Sequence, residues 1–161
     1  MKTPRLLPVA LLCLLLAGAH AESPNTQREI EKAAKETFPR ASRSIEENVD
    51  AKVALGVDAA SFGDDEKAWS NLYIIANRIV GALGEVGKDQ VGKDAIAKSI
   101  QRVVIVKLGA GAKEDFIELK DGTLTVKTTG TDPAMALLQG VITRSLEKTL
   151  LGIAPNPEKT P

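Results

Sequence analysis

The segment Phe116-Ile117-Glu118-Leu119-Lys120-Asp121-Gly122-Thr123-Leu124-Thr125-Val126 leaves the chain the least freedom. Apolar and polar residues alternate on both sides of Asp121-Gly122. Asp-Gly is favoured where both residues of a tight turn need positive φ, so the stretch predicts a hairpin with a two-residue turn. Such a turn pairs Lys120 with Thr123, Leu119 with Leu124, Glu118 with Thr125 and Ile117 with Val126. Every apolar pair then lies on one face and every polar pair on the other. A slip of one residue would mix the faces.

A two-stranded hairpin cannot bury its apolar face alone, so the remaining chain must supply strands beside it and helices over it. Residues 52–58 alternate, with Val53, Leu55 and Val57 to one side and Lys52, Ala54, Gly56 and Asp58 to the other. That period of two predicts a first strand. Val103-Val104-Ile105-Val106 is apolar on both sides and predicts a central strand.

The helical signal is strongest over residues 61–86. Trp69, Leu72, Ile75, Ala76, Ile79, Val80, Leu83 and Val86 recur at spacings of three and four. Ser61 followed by Asp64, Asp65 and Glu66 offers cap chemistry at the start, and Gly84 and Gly87 mark the end. A shorter helix is expected over 93–100, with Ile96 and Ile100 inward. A final helix is expected to start at Thr131-Asp132-Pro133, bury Leu138, Val141, Ile142, Leu146 and Leu150, and stop at Gly152. Residues 22–37 are charged and Ala-rich with a thin apolar stripe, a weak helix stopped by Pro39, and a short helical piece is expected over 42–48.

The expected architecture is α+β. A small, mainly antiparallel sheet of about four strands, in a β-α-α-β-β-β-α core, carries its helices on one face. A weak N-terminal helix is added. The first strand and the Val103–Val106 strand are expected to run parallel across a right-handed helical crossover. A strand order of 1-2-3-4 follows. The expected units are a leader over 1–21, a charged helical segment over 22–50, one domain over 51–152 and a Pro-rich tail over 153–161.

Residues 1–21 have the pattern of a secretory signal peptide. Lys2 and Arg5 precede an apolar run over 6–18, and Ala19-His20-Ala21 is a small-x-small cleavage site. Cleavage after Ala21 removes the chain's one cysteine, Cys13, and its one histidine, His20. It also removes two cations and no acid, so the net charge moves from zero to −2. A periplasmic or secreted product is expected, with no electrostatic footprint for nucleic acid and no membrane span after cleavage. Without thiol or imidazole, the usual Ser-His-Asp, Cys-His and zinc sites are excluded. An enzyme would need two carboxylates or a Ser-Lys pair. Ser99 with Lys98 or Lys93 is a pair on paper only, and Ser99 and Lys98 do not face each other on a helix.

Other motifs have plainer readings. Gly87-Lys88-Asp89-Gln90-Val91-Gly92-Lys93 has the spacing of a phosphate-binding loop. Asp94 stands where Ser or Thr would hold a metal, and the loop follows a helix rather than a strand, so a turn between helices is expected. Gly109-x-Gly111 lacks the third glycine of a dinucleotide fingerprint. Asp64-Asp65-Glu66 lacks the ligand alternation of a calcium loop. No catalytic residue, cofactor or metal is expected.

A non-enzymatic domain that binds another envelope or secreted protein is the leading expectation, as an inhibitor, an immunity-type protein or an accessory factor. A carrier for a small apolar ligand is the alternative, and self-association is a further one. The sheet's second face suggests where a partner would sit. The hairpin is polar there, the first strand is small, and the central strand is apolar. Ala54, Gly56, Val104 and Val106 form that candidate surface, with Tyr73 added from the long helix. The N-terminal helix, a partner protein or an apolar ligand should cover it, unless a different strand order removes the apolar patch.

Overall fold

The computed structural model describes residues 23–109, 112, 116–129 and 134–152. The expected leader, the start of the last helix and the tail lie outside them. Four strands form one sheet: β1 (Ala54–Val57), β2 (Arg102–Lys107), β3 (Phe116–Lys120) and β4 (Thr123–Thr128). The fold is α+β, as expected, with helices packed against the sheet.

The hairpin takes the register read from its alternation, from Ile117 opposite Val126 to Lys120 opposite Thr123. Asp121 and Gly122 have φ of 48° and 74°. Both turn residues are therefore left-handed, which is the conformation that Asp-Gly tolerates and that matches the twist of the flanking strands. The β1–β2 pair is parallel, also as expected.

Strand order departs from expectation. It is β1-β2-β4-β3, and β2 pairs with β4 in parallel. The sheet is thus mixed and mostly parallel rather than mainly antiparallel. The physical reason lies in which hairpin strand suits an edge. Glu118 and Lys120 put charge on β3, which blunts an open edge, while β4 is rich in β-branched residues that pack well between neighbours.

The helices are α1 (Pro24–Lys32), α2 (Phe38–Val49), α3 (Ala59–Phe62), α4 (Glu66–Ser70), α5 (Leu72–Val86), α6 (Gln90–Ser99) and α7 (Ala134–Leu151). The long helix expected over 61–86 is three pieces. Gly63, at φ 52°, ends α3, and the Asp65 side chain accepts the Ala68 N–H to start α4. Ser61 does not cap that helix. Its hydroxyl donates to the Asp58 carbonyl and accepts the Lys107 N–H, tying α3 to β2. Gly84 lies inside α5, and Gly87 follows its last residue.

Pro39 does not stop the first helix. Ala33–Thr37 forms a π turn that joins α1 to α2 without a break. The Phe38 N–H reaches back to the Ala33 carbonyl. Widening the turn by one residue accommodates a ring that has no N–H to donate and would crowd the carbonyl four residues earlier. The N-terminal segment is consequently docked. Ala33, Ala41, Ile45 and Val49 are buried in the same cluster as the sheet and α5. The Ser42 hydroxyl accepts the Leu55 N–H at 3.1 Å, so α2 lies along the outer edge of β1.

The core sits between the helices and one face of the sheet. Leu55, Val103, Ile105, Leu124 and Val126 supply the sheet side. Trp69, Leu72, Ile75, Ile79, Leu83, Leu138, Ile142 and Leu146 supply much of the helical side. Gly81 faces Gln139, and the Thr143 hydroxyl donates to Glu85 at 3.1 Å, so α5 and α7 run parallel. Trp69 is 3% exposed, donates its indole N–H to the Gly63 carbonyl and meets Phe62 with ring centroids 5.1 Å apart.

The glycines of the 87–93 motif have packing roles. A Cβ on Gly87 would stand 2.7 Å from Val49 Cγ1, and one on Gly92 would overlap the Val86 carbonyl oxygen. They allow α6 to start against the end of α5. Asp89 caps α6 by accepting the Gly92 N–H at 2.9 Å, which places a carboxylate where a phosphate would need a donor. Gly92→Ala should lower stability by about 1–3 kcal/mol, because backbone must move to admit the methyl. Gly109→Ala, with nothing within 4 Å of the new Cβ, should change it by about 0.5 kcal/mol or less. Trp69→Ala should cost about 3–5 kcal/mol. Denaturant melts of the three variants check this, and equal midpoints would refute the placement.

Candidate functional site

Strand register sorts the sheet residues onto two faces. One row of the second face is Ala54, Arg102, Thr123 and Lys120; the next is Gly56, Val104, Thr125 and Glu118; the third continues with Val106, Lys127 and Phe116. Four of the five residues singled out from the sequence (Ala54, Gly56, Val104 and Val106) are therefore together. Ala54 is exposed, Gly56 is buried, and Val104 and Val106 are half-buried. Neither valine belongs to the core cluster or to the partly buried residues packed against it.

The docked N-terminal helices do not cover this face. Their buried residues, Ala33, Ala41, Ile45 and Val49, join the cluster on the opposite side of the sheet. Among the described helices, those that supply the core all do so on that other side.

Tyr73 is elsewhere. It lies on α5, 50% exposed, beside Ile74 at 40%. With Glu29, Lys32, Ala33, Thr37, Trp69 and Ser70 it lines a shallow hollow of about 10 Å³. Small-ligand sites are usually concave and about 300–1,000 Å³. Trp69 is committed to the core through Phe62 and Gly63, so the pair does not form an open stacking platform.

The residues missed from the sequence come from β4. Thr123, Thr125 and Lys127 sit beside Arg102, Val104 and Val106 in turn because β4, not β3, neighbours β2. The charge on β3 was the signal that could have assigned it to the edge. Lys127 Nζ lies 3.2 Å from Glu118 Oε2, and Arg102 Nη2 lies 3.4 Å from Thr123 Oγ1.

At the far end of β2, Lys107 Nζ meets Asp65 Oδ2 at 2.6 Å. This contact, followed by the Ala68 N–H, holds the Asp65 carboxyl below its usual pKa. The neighbouring Asp64 is lowered by the Thr26 hydroxyl and then by the Ser23 N–H, which it accepts at 3.0 Å. The Asp64-Asp65-Glu66 run thus clamps α1 and β2 to the start of α4. Among the described residues no group of three His, Cys, Asp or Glu side chains is arranged to hold a metal. No described helix is long and apolar enough to cross a membrane. Comparison with protein-family models, curated proteins and solved structures finds no match to this chain.

The two lowered carboxyls set a pH dependence. Their folded pKa values lie below the unfolded ones, so the stability they contribute is present above the unfolded carboxylate range. It is lost as pH falls through the lowered values, below about pH 4. Asp65→Asn keeps an oxygen for the cap and removes the charge. The variant should be less stable at pH 7 by under about 1 kcal/mol, since the pair is partly exposed. The difference from the parent should vanish as pH falls below about 4. Melting at pH 7 and pH 3 checks this; an unchanged difference would contradict the ion pair.

Proposed function

We propose that this chain is an exported, periplasmic or secreted, non-enzymatic domain that binds another protein through the second face of its sheet. The observation that carries the reading is the placement of Val104 and Val106. They are half-buried on a central strand yet lie outside the core cluster. Parallel-paired strands are ordinarily covered on both faces, and β1, β2 and β4 are all parallel. An extended sheet face of this kind suits a protein partner better than a small molecule, which needs a concavity to lose most of its water contact. The basic start, apolar run and Ala-His-Ala of residues 1–21 support export, and their removal would leave a chain without His or Cys.

The test is affinity capture of tagged residues 22–161 from the native envelope fraction after mild crosslinking, with the intact complex weighed by native mass spectrometry. One protein at stoichiometric yield is expected, and Val104→Lys should abolish the complex while the melting temperature holds. A clean monomer carrying added small-molecule mass would replace this reading with that of a carrier.

A further inference from the structure

The second face has a chemical character beyond its two valines. Within the strands it carries Arg102, Lys120, Lys127 and Glu118. Glu118 is paired with Lys127. Arg102 and Lys120 flank Thr123 in one row, one on each side, which separates their strands by about 10 Å. Among the described residues neither is in an ion pair of the core or the rim. One end of the face is thus basic, and the apolar strip of Val104 and Val106 runs away from it.

The dimensions select an occupant. Four strands span about 14 Å, and the six-residue strands β2 and β4 run about 20 Å. That area takes one helix of about 13 residues laid along β2. Val104 and Val106 are short, half-buried side chains on a strand and do not project far enough to insert into a lipid surface, which needs apolar groups reaching about 5–10 Å into it. Isologous pairing of two copies about an axis parallel to the strands would set the basic end of one copy against the basic end of the other.

Resting on the protein-binding reading above, we propose that the partner presents an acidic amphipathic helix. Its apolar stripe lies on Val104 and Val106 over the small residues Ala54 and Gly56. Its Asp or Glu side chains meet Arg102 and Lys120 at one end. Charge complementarity of this kind sets orientation and speeds encounter, and it weakens as salt rises.

The experiment places a photo-crosslinking residue, p-benzoylphenylalanine, at Thr125 or at Tyr73 in the full chain within its native cells. Adducts are sequenced by mass spectrometry. The Thr125 probe should mark a different protein, on a segment with helical apolar periodicity and more Asp and Glu than Lys and Arg. The Arg102→Glu, Lys120→Glu double variant should lose that adduct at least tenfold, and Arg102→Gln, Lys120→Gln should lose less. Both changes are at exposed positions, and a thermal melt verifies that each variant is folded. A Thr125 adduct to this chain's own segments or to a second copy, a basic or neutral partner segment, or indifference to charge reversal would overturn the proposal. Foreign adducts from Tyr73 alone would overturn it and move protein binding off the sheet face to the α5 side. No foreign adduct from either position would sink both.

Discussion

Strand β2 is the constraint on which the rest depends. It pairs in parallel with β1 on one side and β4 on the other, and it carries apolar residues on both faces. Val103 and Ile105 are fully buried against the helices. That burial orders Leu55 and Leu124 beside Val103, and Val126 beside Ile105, into one hydrophobic layer. Parity does the rest: once these residues face inward, Val104 and Val106 must face outward. The face that carries the two valines, uncovered by the described helices, is a consequence of the core, not a separate device.

The helical layer is adjusted to that sheet by local chemistry. The π turn lets Pro39 stay within a continuous helix, so that α2 can run on to protect the β1 edge through Ser42. The left-handed Gly63 and the Asp65 cap break the next helix where it must turn past Trp69. Gly92 brings α6 against the end of α5 at a distance that no side chain would allow, and Gly87 leaves room there for Val49 of α2. Lys107 and Asp65 then tie the end of β2 to the same corner. Of the contacts around that corner, the Asp65 carboxylate and the Ser61 hydroxyl act on β2 itself, both at Lys107.

What was legible in the sequence follows the range of the forces involved. The hairpin could be read to the residue because its turn chemistry and alternation are both local. The face shared by Ala54, Gly56, Val104 and Val106 could be read because parity needs only the strand and its neighbour. Strand order could not, because it depends on whether β3 or β4 better tolerates an edge, and Glu118 and Lys120 decide that only when set against the β-branched residues of β4. Pro39 misled because a π turn relieves the clash on which the breaker rule rests. Tyr73 stands on an α5 position whose neighbours, Glu29, Lys32 and Thr37, come from a segment expected to form only a weak helix. Its separation from the sheet face needed the tertiary structure.

The claim at the centre is that neighbouring residues of one strand face a packed core and an accessible surface in turn. A chain of residues 22–161 has no cysteine, so single cysteines can report each position without interference. The decisive measurement is the rate of thiol labelling in the native protein with cysteine at 103, 104, 105 or 106. The account predicts labelling at 104 and 106 at least tenfold faster than at 103 and 105, which should react only on unfolding. Equal protection at all four positions, or faster labelling at 103 and 105, would contradict it.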